Sequence, residues 1–249
     1  MKKTLSLVIP TYNEANNIVP LCMQLQEVLV KTGITFEIII VDDNSPDGTW
    51  KIASDLARQQ EAVKVIRRMD KKGLATAVLA GWAQAEGEIL GVIDGDLQHP
   101  PETMAQLLKK ILEDQSADIV IASRYVTGGG ISKWGPCRRF ISRLSTLVSH
   151  ICIPQPLKTV RDPMSGYFIL RKKVLEGKSL TPIGYKILLE VLAKGAYAKA
   201  VEVPYIFQER IKGSSKAGLK QYLISLFHIL KLSFEPRPHA GIRIKKWNR

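Results

Sequence analysis

The sequence predicts an α/β domain with a mostly parallel central sheet flanked by helices. Short apolar segments rich in β-branched residues alternate with longer amphipathic segments through the first half of the chain, which is typical of β-α-β units with right-handed crossovers. Polar clusters follow three of the strand segments, and the carboxyl ends of parallel strands share one edge of a sheet. The clusters are therefore expected to meet on one rim. The 249 residues, 45% of them hydrophobic, suffice for one sizeable domain.

The first half of the chain supplies five strands and four helices. Hydrophobic spacing of two or a continuous apolar run marks the strands, and a spacing of three to four marks the helices. The predicted strands are 4–9, 36–41, 63–66, 89–93 and 118–122, and the predicted helices are 14–31, a short helix ending at 59, 72–85 and 101–113.

The pattern changes after residue 125. Gly128-Gly129-Gly130 predicts a flexible joint, and Pro154 and Pro156 are expected to break the chain after a helix that ends near residue 151. A strand at 200–207 is interrupted by Pro204, which favours a sheet edge. The other predicted elements are a strand at 167–170 and helices at 185–194 and 219–234.

The charge is strongly basic and unevenly spread. The net charge is +13, and residues 204–249 hold ten Lys and Arg against two Asp and Glu. Such an end favours anionic partners, namely nucleic acid, acidic lipid or phosphorylated ligands. A nucleic-acid-binding protein is the alternative from another class, but Trp247 is the single aromatic residue of the basic tail, and this reading leaves the acidic rim unexplained. We therefore expect no nucleic-acid partner.

Targeting and redox signals are weak. The apolar run at 5–9 is too short for a signal peptide, and no uncharged apolar stretch approaches the length of a membrane-spanning helix. Cys22, Cys137 and Cys152 are too widely spaced for a metal or redox motif, which predicts reduced thiols in a cytoplasmic protein.

The segment 89–101, ILGVIDGDLQHPP, is the centre of the predicted rim. Asp94 and Asp96 stand two positions apart where the strand ends, and Gln98 follows. Two carboxylates and an amide oxygen suit a hard divalent cation, Mg²⁺ or Mn²⁺, that also holds phosphate oxygens. A turn is the other interpretation, because Asp and Gly are common turn residues.

Two further polar clusters follow strands 4–9 and 36–41. Tyr12 could stack on a base, and Asp42 and Asp43 could accept hydrogen bonds from a base or ribose; a turn with a helix start explains the same residues. Neither a Gly-x-Gly-x-x-Gly fingerprint nor a phosphate-binding Gly-x-x-x-x-Gly-Lys-Ser/Thr loop is present. A nucleotide bound here would need a cation to neutralise its diphosphate.

Six motifs together resemble one family. They are PTYNE (10–14), VDDNSPDGT (41–49), DGDLQHPPE (94–102), SRYVTGG (123–129), DPMSG (162–166) and RIKGSSK (210–216). In this order they resemble the dolichol-phosphate mannose synthases, which are inverting family-2 glycosyltransferases with a GT-A fold. The resemblance covers about residues 4–216. It predicts a GT-A catalytic domain over 1–216, and leaves 217–249 as an amphipathic helix and basic tail.

The resemblance implies transfer of a sugar, mannose from GDP-mannose in the best-matched group, to dolichyl or polyprenyl phosphate. Use of UDP-glucose and transfer to a saccharide are the alternatives. The enzyme would act at the cytosolic face of a membrane. Contact with the membrane would come from its own C-terminal helix or from a membrane-anchoring partner; a core helix packed on the sheet is the other interpretation of the C-terminal helix. The resemblance also implies a role for individual residues. The nucleoside would be held by Pro10, Tyr12, Glu14, Val41 and Asp43, with Asp42 adjacent, and the ribose and diphosphate by Asp94, Gly95 and Asp96.

The cation and the phosphates have their own implied residues. Mg²⁺ or Mn²⁺ would be bound by Asp96 and Gln98, the acceptor phosphate by Arg124, Arg138 and Ser142, and the donor diphosphate by Arg210 and Lys216. The implied catalytic residues are Asp96, Arg124 and Arg138.

The chemistry of such a transfer agrees with the absence of a nucleophile motif. A phosphate monoester is already anionic at neutral pH, so the acceptor needs no strong general base. The reaction depends more on positive charges that hold the two phosphorylated substrates together. Arginine suits this role because its guanidinium makes several hydrogen bonds to one phosphate. His99 is accordingly interpreted as structural rather than as a base, and Arg139 and Arg143 as part of a solvated helix face.

Overall fold

The protein is built on a seven-stranded sheet covered by helices. The computed structural model describes residues 3–70, 72–133, 135–209 and 219–235. The strands are β1 (Leu5–Thr11), β2 (Phe36–Asp42), β3 (Val63–Arg67), β4 (Ile89–Val92), β5 (Ile119–Ser123), β6 (Gly130–Ile131), β7 (Phe168–Arg171), β8 (Ala200–Pro204) and β9 (Ile206–Phe207). The helices are α1 (Ile18–Lys31), α2 (Thr49–Gln59), α3 (Leu74–Ala83), α4 (Glu102–Glu113), α5 (Pro136–Cys152), α6 (Pro154–Leu157), α7 (Ile187–Lys194) and α8 (Leu219–Phe234), with a 3₁₀ turn at Lys172–Leu175.

The strand order confirms the predicted mostly parallel sheet. The order is β3-β2-β1-β4-β7-β5-β8, and β7 alone runs antiparallel to its neighbours. Because β1 lies between β2 and β4 and is parallel to both, the three polar clusters that follow these strands meet on one rim, as predicted.

The core has one layer on each face of the sheet. Along β1, Leu5, Leu7 and Ile9 pack into the layer that holds α1, α2 and α4, while Val8 packs into the layer that holds α3 and α7. This alternation follows from the two-residue period of a strand. Both faces are covered, so the strand segments read as continuous apolar runs rather than as alternating ones.

The predicted helix start at residue 14 is wrong, and α1 begins at Ile18. The loop after β1 is instead hydrogen-bonded to the loop after β2: the backbone N–H groups of Asn13 and Glu14 donate to Ser45 Oγ and Thr49 Oγ1, both at 2.9 Å. Asn13, just before the predicted start, has a left-handed φ of 56°. Residues 15–17 form turns rather than regular helix, although Glu14 O already accepts hydrogen bonds from the backbone N–H groups of Asn17 and Ile18. The contact between the two loops thus satisfies backbone N–H groups ahead of the helix.

The second half departs further from the sequence-based expectation. The expected glycine joint contributes to β6, which pairs with β9 in a separate two-stranded sheet. The expected strand at 200–207 is split at its proline into β8 and β9, and β8 does lie at the edge of the main sheet. Pro154 does not simply break the chain but starts the single turn of α6, a position at which proline costs no hydrogen bond.

Helix α8 is partly buried and partly exposed. Ser225, His228, Ile229 and Leu232 are buried against the domain, and α8 packs on α5. Within the described ranges, no helix combines the length and the apolar character needed to cross a bilayer. The predicted division of the chain at residue 216 stays a prediction, because residues 210–218 are not described.

Candidate functional site

A cavity of about 830 Å³ opens at the rim where β1, β2 and β4 end. Its opposite wall is formed by residues of α5, α8 and the segment before α7. The predicted site residues that line it are Pro10, Tyr12, Glu14, Asp43, Asp94, Gly95, Asp96, Gln98, Arg124, Arg138 and Ser142. The cavity therefore unites the residues expected for the donor with those expected for the acceptor.

Two predicted residues that the structure describes, Val41 and Asp42, do not line the cavity. Arg210 and Lys216 lie outside the described residues. Val41 packs in the core layer with α3. The carboxylate of Asp42 is buried and accepts hydrogen bonds from Thr11 Oγ1 at 2.8 Å and Ser45 Oγ at 2.6 Å. Asp42 thus joins the loops after β1 and β2. It would influence nucleoside binding indirectly, by fixing the positions of these two loops.

Asp43 lines the cavity and is held by Arg68, a residue that the sequence did not single out. Its two carboxylate oxygens accept hydrogen bonds from Arg68 Nε and from the backbone N–H of Gly73, each at 2.6 Å. The same guanidinium donates to Thr76 Oγ1 and to Gly73 O, each at 3.0 Å. This ion pair clamps the start of α3 against the end of β2. No spacing in the sequence connects positions 43 and 68.

The acidic side of the cavity is centred on Asp94 and Asp96. Asp94 Oδ1 is buried and has no hydrogen-bond partner among the described residues, and Asp94 Oδ2 lies 3.3 Å from His99 Nε2. Asp96 Oδ1 accepts a hydrogen bond from the backbone N–H of Gln98 at 3.1 Å. The Gln98 side chain donates to Gln208 O at 2.9 Å, so the amide oxygen is the end that a ligand can use.

These donors fit a hard cation that is shared with a substrate. They are carboxylate and amide oxygens, the ligands that Mg²⁺ and Mn²⁺ prefer, and the unpartnered Asp94 oxygen is a buried polar atom that a ligand would satisfy. The described residues contain no group of three or more His, Cys, Asp and Glu side chains arranged to hold a metal by themselves. Any cation here would therefore need further oxygens, such as those of a diphosphate.

His99 lines the cavity and is held in an aromatic cluster, which favours the structural interpretation that the sequence suggested. Its ring is 2% exposed and packs among Tyr167, Tyr205 and Phe207, with centroid distances of 5.1 to 5.5 Å. Burial raises the pKa of Tyr205, which stacks on the His99 ring, well above its usual value. His99 therefore supports the loop that carries Asp94 and Asp96.

The basic side of the cavity is centred on Arg124. Its Nε and Nη2 donate to the two carboxylate oxygens of Asp162 at 2.8 and 2.7 Å, and both side chains are buried. Burial acts to lower the pKa of the Arg124 guanidinium, but the charge and hydrogen bonds of Asp162 outweigh it and raise the pKa. Glu202 in turn accepts from the backbone N–H groups of Arg161 and Asp162. A rigid, permanently charged guanidinium results.

Helix α5 adds polar side chains to the same wall. Arg138, Ser142 and Ser145 share one helical face and line the cavity. The hydroxyls of Ser142 and Tyr125 share a hydrogen bond of 2.8 Å, which links α5 to the end of β5. The site also includes Lys186 and residues of α8 such as Tyr222, which no motif had indicated.

Comparison with known proteins adds a family match. The model of "Glycosyl transferase family 2" matches residues 6–177. The chain is 45% identical over 227 residues to a dolichol-phosphate mannosyltransferase of Pyrococcus furiosus, covering 91% of this chain and 63% of that protein. It is 39% identical over 246 residues to the Saccharomyces cerevisiae dolichol-phosphate mannosyltransferase, covering 92% of this chain and 88% of that protein. The chain thus spans less than two thirds of the Pyrococcus relative.

Among solved structures, the fold is similar to glucosyl-3-phosphoglycerate synthase of Mycobacterium tuberculosis in complex with Mn²⁺, uridine-diphosphate-glucose and phosphoglyceric acid. The TM-score is 0.67 at 20% identity, over 96% of this chain and 83% of that one. At this identity the similarity establishes the α/β fold, with its mostly parallel sheet, and nothing about ligands.

Proposed function

This chain belongs to glycosyl transferase family 2, and from that premise we propose that it transfers mannose, with inversion, from GDP-mannose to dolichyl or another polyprenyl phosphate. The observation that carries the proposal is the cavity in which an acidic rim faces a basic wall. The names of the two relatives support mannose as the sugar and dolichyl phosphate as the acceptor.

The donor is proposed to occupy the side of the cavity formed by β1, β2 and β4. Tyr12 and the clamped Asp43 loop would bound the nucleoside, and Asp94 and Asp96 would face the ribose and diphosphate. Asp96 and Gln98 would hold Mg²⁺ or Mn²⁺, which when bound supplies positive charge to the departing diphosphate. Arg210 and Lys216, outside the described residues, are proposed to close over the donor.

The acceptor phosphate is proposed to lie against Arg124, Arg138 and Ser142. A phosphate oxygen would attack the anomeric carbon from the face opposite the nucleotide, and the bond between that carbon and the diphosphate would break with its electron pair leaving on GDP. One displacement inverts the anomeric configuration. Since the nucleophile is anionic at pH 7, the residues need only orient it and hold its charge near the donor.

A membrane surface is proposed to deliver this acceptor. The exposed apolar residues of α5 recur at helical spacing, as do those of α8, and the two helices pack together. They are Phe140, Leu144, Leu147 and Ile151 on α5, and Leu223, Leu226, Phe227, Leu230 and Phe234 on α8. Because one face of each helix lines the cavity while another exposes this stripe, a lipid phosphate at a cytosolic membrane face would reach the cavity between them.

Basic residues beside the stripe favour a lipid surface over a protein partner. Arg139 and Arg143 are exposed on α5 next to the apolar positions. Guanidinium groups at this place would contact anionic headgroups, as in other interfacial helices. Binding to pure lipid vesicles distinguishes the proposal from recruitment by a membrane-anchoring subunit.

The test is incubation of the protein with radiolabelled GDP-mannose or UDP-glucose, a polyprenyl phosphate and Mg²⁺ or Mn²⁺, followed by counting of label in the organic phase. We expect mannose to be transferred to the lipid, and chelation to abolish the transfer. Glucose in the organic phase would correct the donor, and label on a soluble saccharide acceptor would correct the acceptor. No transfer from either donor would contradict the proposed function.

A further inference from the structure

The segment 182–186 places a lysine in the cavity. Gly184 has a left-handed φ of 78°, and a Cβ at this position would lie 2.7 Å from Ile224 Cγ2 of α8. The carbonyl of Gly184 accepts a hydrogen bond from the backbone N–H of Ala75 at 3.4 Å. The segment is thus packed between α3 and α8, and Tyr185 and Lys186 line the cavity before α7 begins.

Lys186 is directed to the centre of the site. Its Nζ donates a hydrogen bond of 2.9 Å to Met164 O, in the loop that also carries Asp162. That loop lies close to the acidic rim, because a Cβ at Gly166 would be 2.8 Å from Asp94 Oδ2. Lys186 therefore stands where the acidic and basic sides of the cavity meet.

The charge of Lys186 is not paired with a carboxylate. No salt bridge within 4 Å joins its Nζ to a carboxylate of the described residues; the Nζ donates to Met164 O and lies 4.5 Å from the Tyr185 ring centroid. Desolvation, followed by the charge of Arg124, lowers the pKa of Lys186 to about 8, and Asp94 and Asp162 oppose this. The ammonium form still predominates at pH 7, and an anion bound beside it would be strongly attracted.

Arg124 alone cannot meet the charge of a phosphate monoester. Its positive charge is offset by the bidentate contact with Asp162. A phosphate monoester carries about −1.5 to −2 at pH 7, whereas the glycosylated product is a diester with a single negative charge. A second cation beside Arg138 would therefore distinguish substrate from product.

We propose that Lys186 binds a non-bridging oxygen of the acceptor phosphate, on the side that faces the donor, and favours the monoester over the diester. This role rests on the proposed function. It makes Lys186 a binding residue of the reaction rather than a support for the loop at Met164. When the acceptor becomes a diester, the attraction weakens, which favours product release.

The test compares Lys186→Met and Lys186→Arg with the unchanged protein. We expect Lys186→Met to raise the acceptor KM by about ten- to a hundredfold, as for loss of a hydrogen bond to a charged group, with the donor KM changed less than about twofold. Lys186→Arg keeps the cation and should recover most of the loss. The exposed Lys109 of α4, changed to Met, is the matched control and should leave both constants unchanged.

A binding measurement separates this role from a structural one. Titration calorimetry with farnesyl phosphate and with its methyl diester should show tighter binding of the monoester by the unchanged protein, and Lys186→Met should reduce that preference. An unaltered preference, or an equal rise in both KM values, would overturn the assignment. If the unchanged protein binds the monoester but transfers no sugar, the proposed function fails while the role of Lys186 in anion binding is still decided by the calorimetry.

Discussion

At the scale of single residues, Arg124 and Asp162 illustrate how one contact sets the character of a site. A carboxylate that receives both Nε and Nη2 fixes the plane of the guanidinium, and burial removes competing water. The arginine is thereby held in one orientation before a phosphate binds. Asp162 is a positioning residue on this argument, because it acts through Arg124.

Replacing Asp162 with Asn should therefore impair the acceptor more than the donor. The variant loses the charge that compensates a buried guanidinium, and we expect kcat/KM for the lipid phosphate to fall by about tenfold or more. Steady-state kinetics in each substrate provide the measurement. Asp114→Asn, at a partly exposed carboxylate that is paired with Lys199 and does not line the cavity, is the matched control; an equal loss in that variant would contradict the positioning role.

The carboxylates of the rim carry a second residue-scale prediction. Asp96→Asn should lower transfer by about a hundredfold or more, because an amide is a poorer ligand for a hard cation. Enhancement of water proton relaxation by Mn²⁺ in the presence of GDP should decrease in parallel. Unchanged relaxation would reject Asp96 as a ligand, and an unchanged melting temperature would establish that the variant is folded.

At the scale of elements, α5 and α8 show that apolar periodicity does not by itself specify what covers a helix. Positions 140, 144, 147 and 151 follow the spacing of a buried stripe, yet all four side chains are exposed. The inner faces of the same two helices carry Arg138, Ser142 and Tyr222 into the cavity. Each helix is thus apolar on the side away from the domain. A helix whose outer side faces water carries polar residues there instead.

Polar substitution of this stripe should reduce binding to membranes without unfolding the protein. Burying one Leu or Phe side chain contributes about 1.5 to 3 kcal/mol, so Phe140→Ser with Leu144→Ser should lower the partition coefficient by at least about tenfold. Flotation with vesicles that contain anionic lipid measures the effect. Met23→Ser with Val30→Ser, exposed on α1, should float like the unchanged protein, and a loss in both pairs would count against a specific surface.

At the scale of the whole molecule, α8 is attached to the domain by a buried hydrogen bond between His228 and Glu190. His228 Nε2 lies 2.6 Å from Glu190 Oε2 of α7, and each side chain is 1% exposed. Lys194 Nζ and the backbone N–H of Thr181 also contact Glu190. Because α8 lines the cavity, this pair connects the stability of the C-terminal helix to the geometry of the site.

The pH dependence of this attachment follows from Glu190. Desolvation acts to raise its pKa, but the hydrogen bonds from His228, Lys194 and Thr181 outweigh it and lower the pKa to about 2. A carboxyl whose pKa is lower in the folded state stabilises that state above the unfolded pKa. The contribution is lost as the pH falls from about 4.5 towards 2.

Glu190→Gln should accordingly lower the free energy of unfolding at pH 7 by about 1.5 to 3 kcal/mol, because it removes a charged acceptor of hydrogen bonds from His228 and Lys194, although Glu235 still pairs with Lys194. It should also flatten the decline of stability between about pH 5 and pH 3. Urea unfolding at several pH values measures both effects. If the variant and the unchanged protein declined in parallel below pH 5, the pair would not be the acid-sensitive attachment.

Local chemistry was sufficient for the positions of the first-half elements and for most of the rim. Apolar runs marked β1, β2 and β4, and the motifs that follow them supplied Tyr12, Asp43, Asp94 and Asp96. The start of α1 was missed because residues 15–17 form turns next to a loop contact between Glu14 and Thr49, which are 35 positions apart. Residue propensities describe local structure and do not include contacts between distant segments.

What the sequence alone determined is the alternation of strands and helices, the rim of acids, and the family, since each is encoded in residues that are neighbours along the chain. The tertiary structure decided which charged and polar groups meet and which surfaces are covered: Arg124 meets Asp162 and His228 meets Glu190, each across 38 positions. It also brought Lys186, which belongs to no motif, into the cavity. Charge compensation depends on distance in space, and spatial proximity between distant segments is set by packing rather than by sequence spacing.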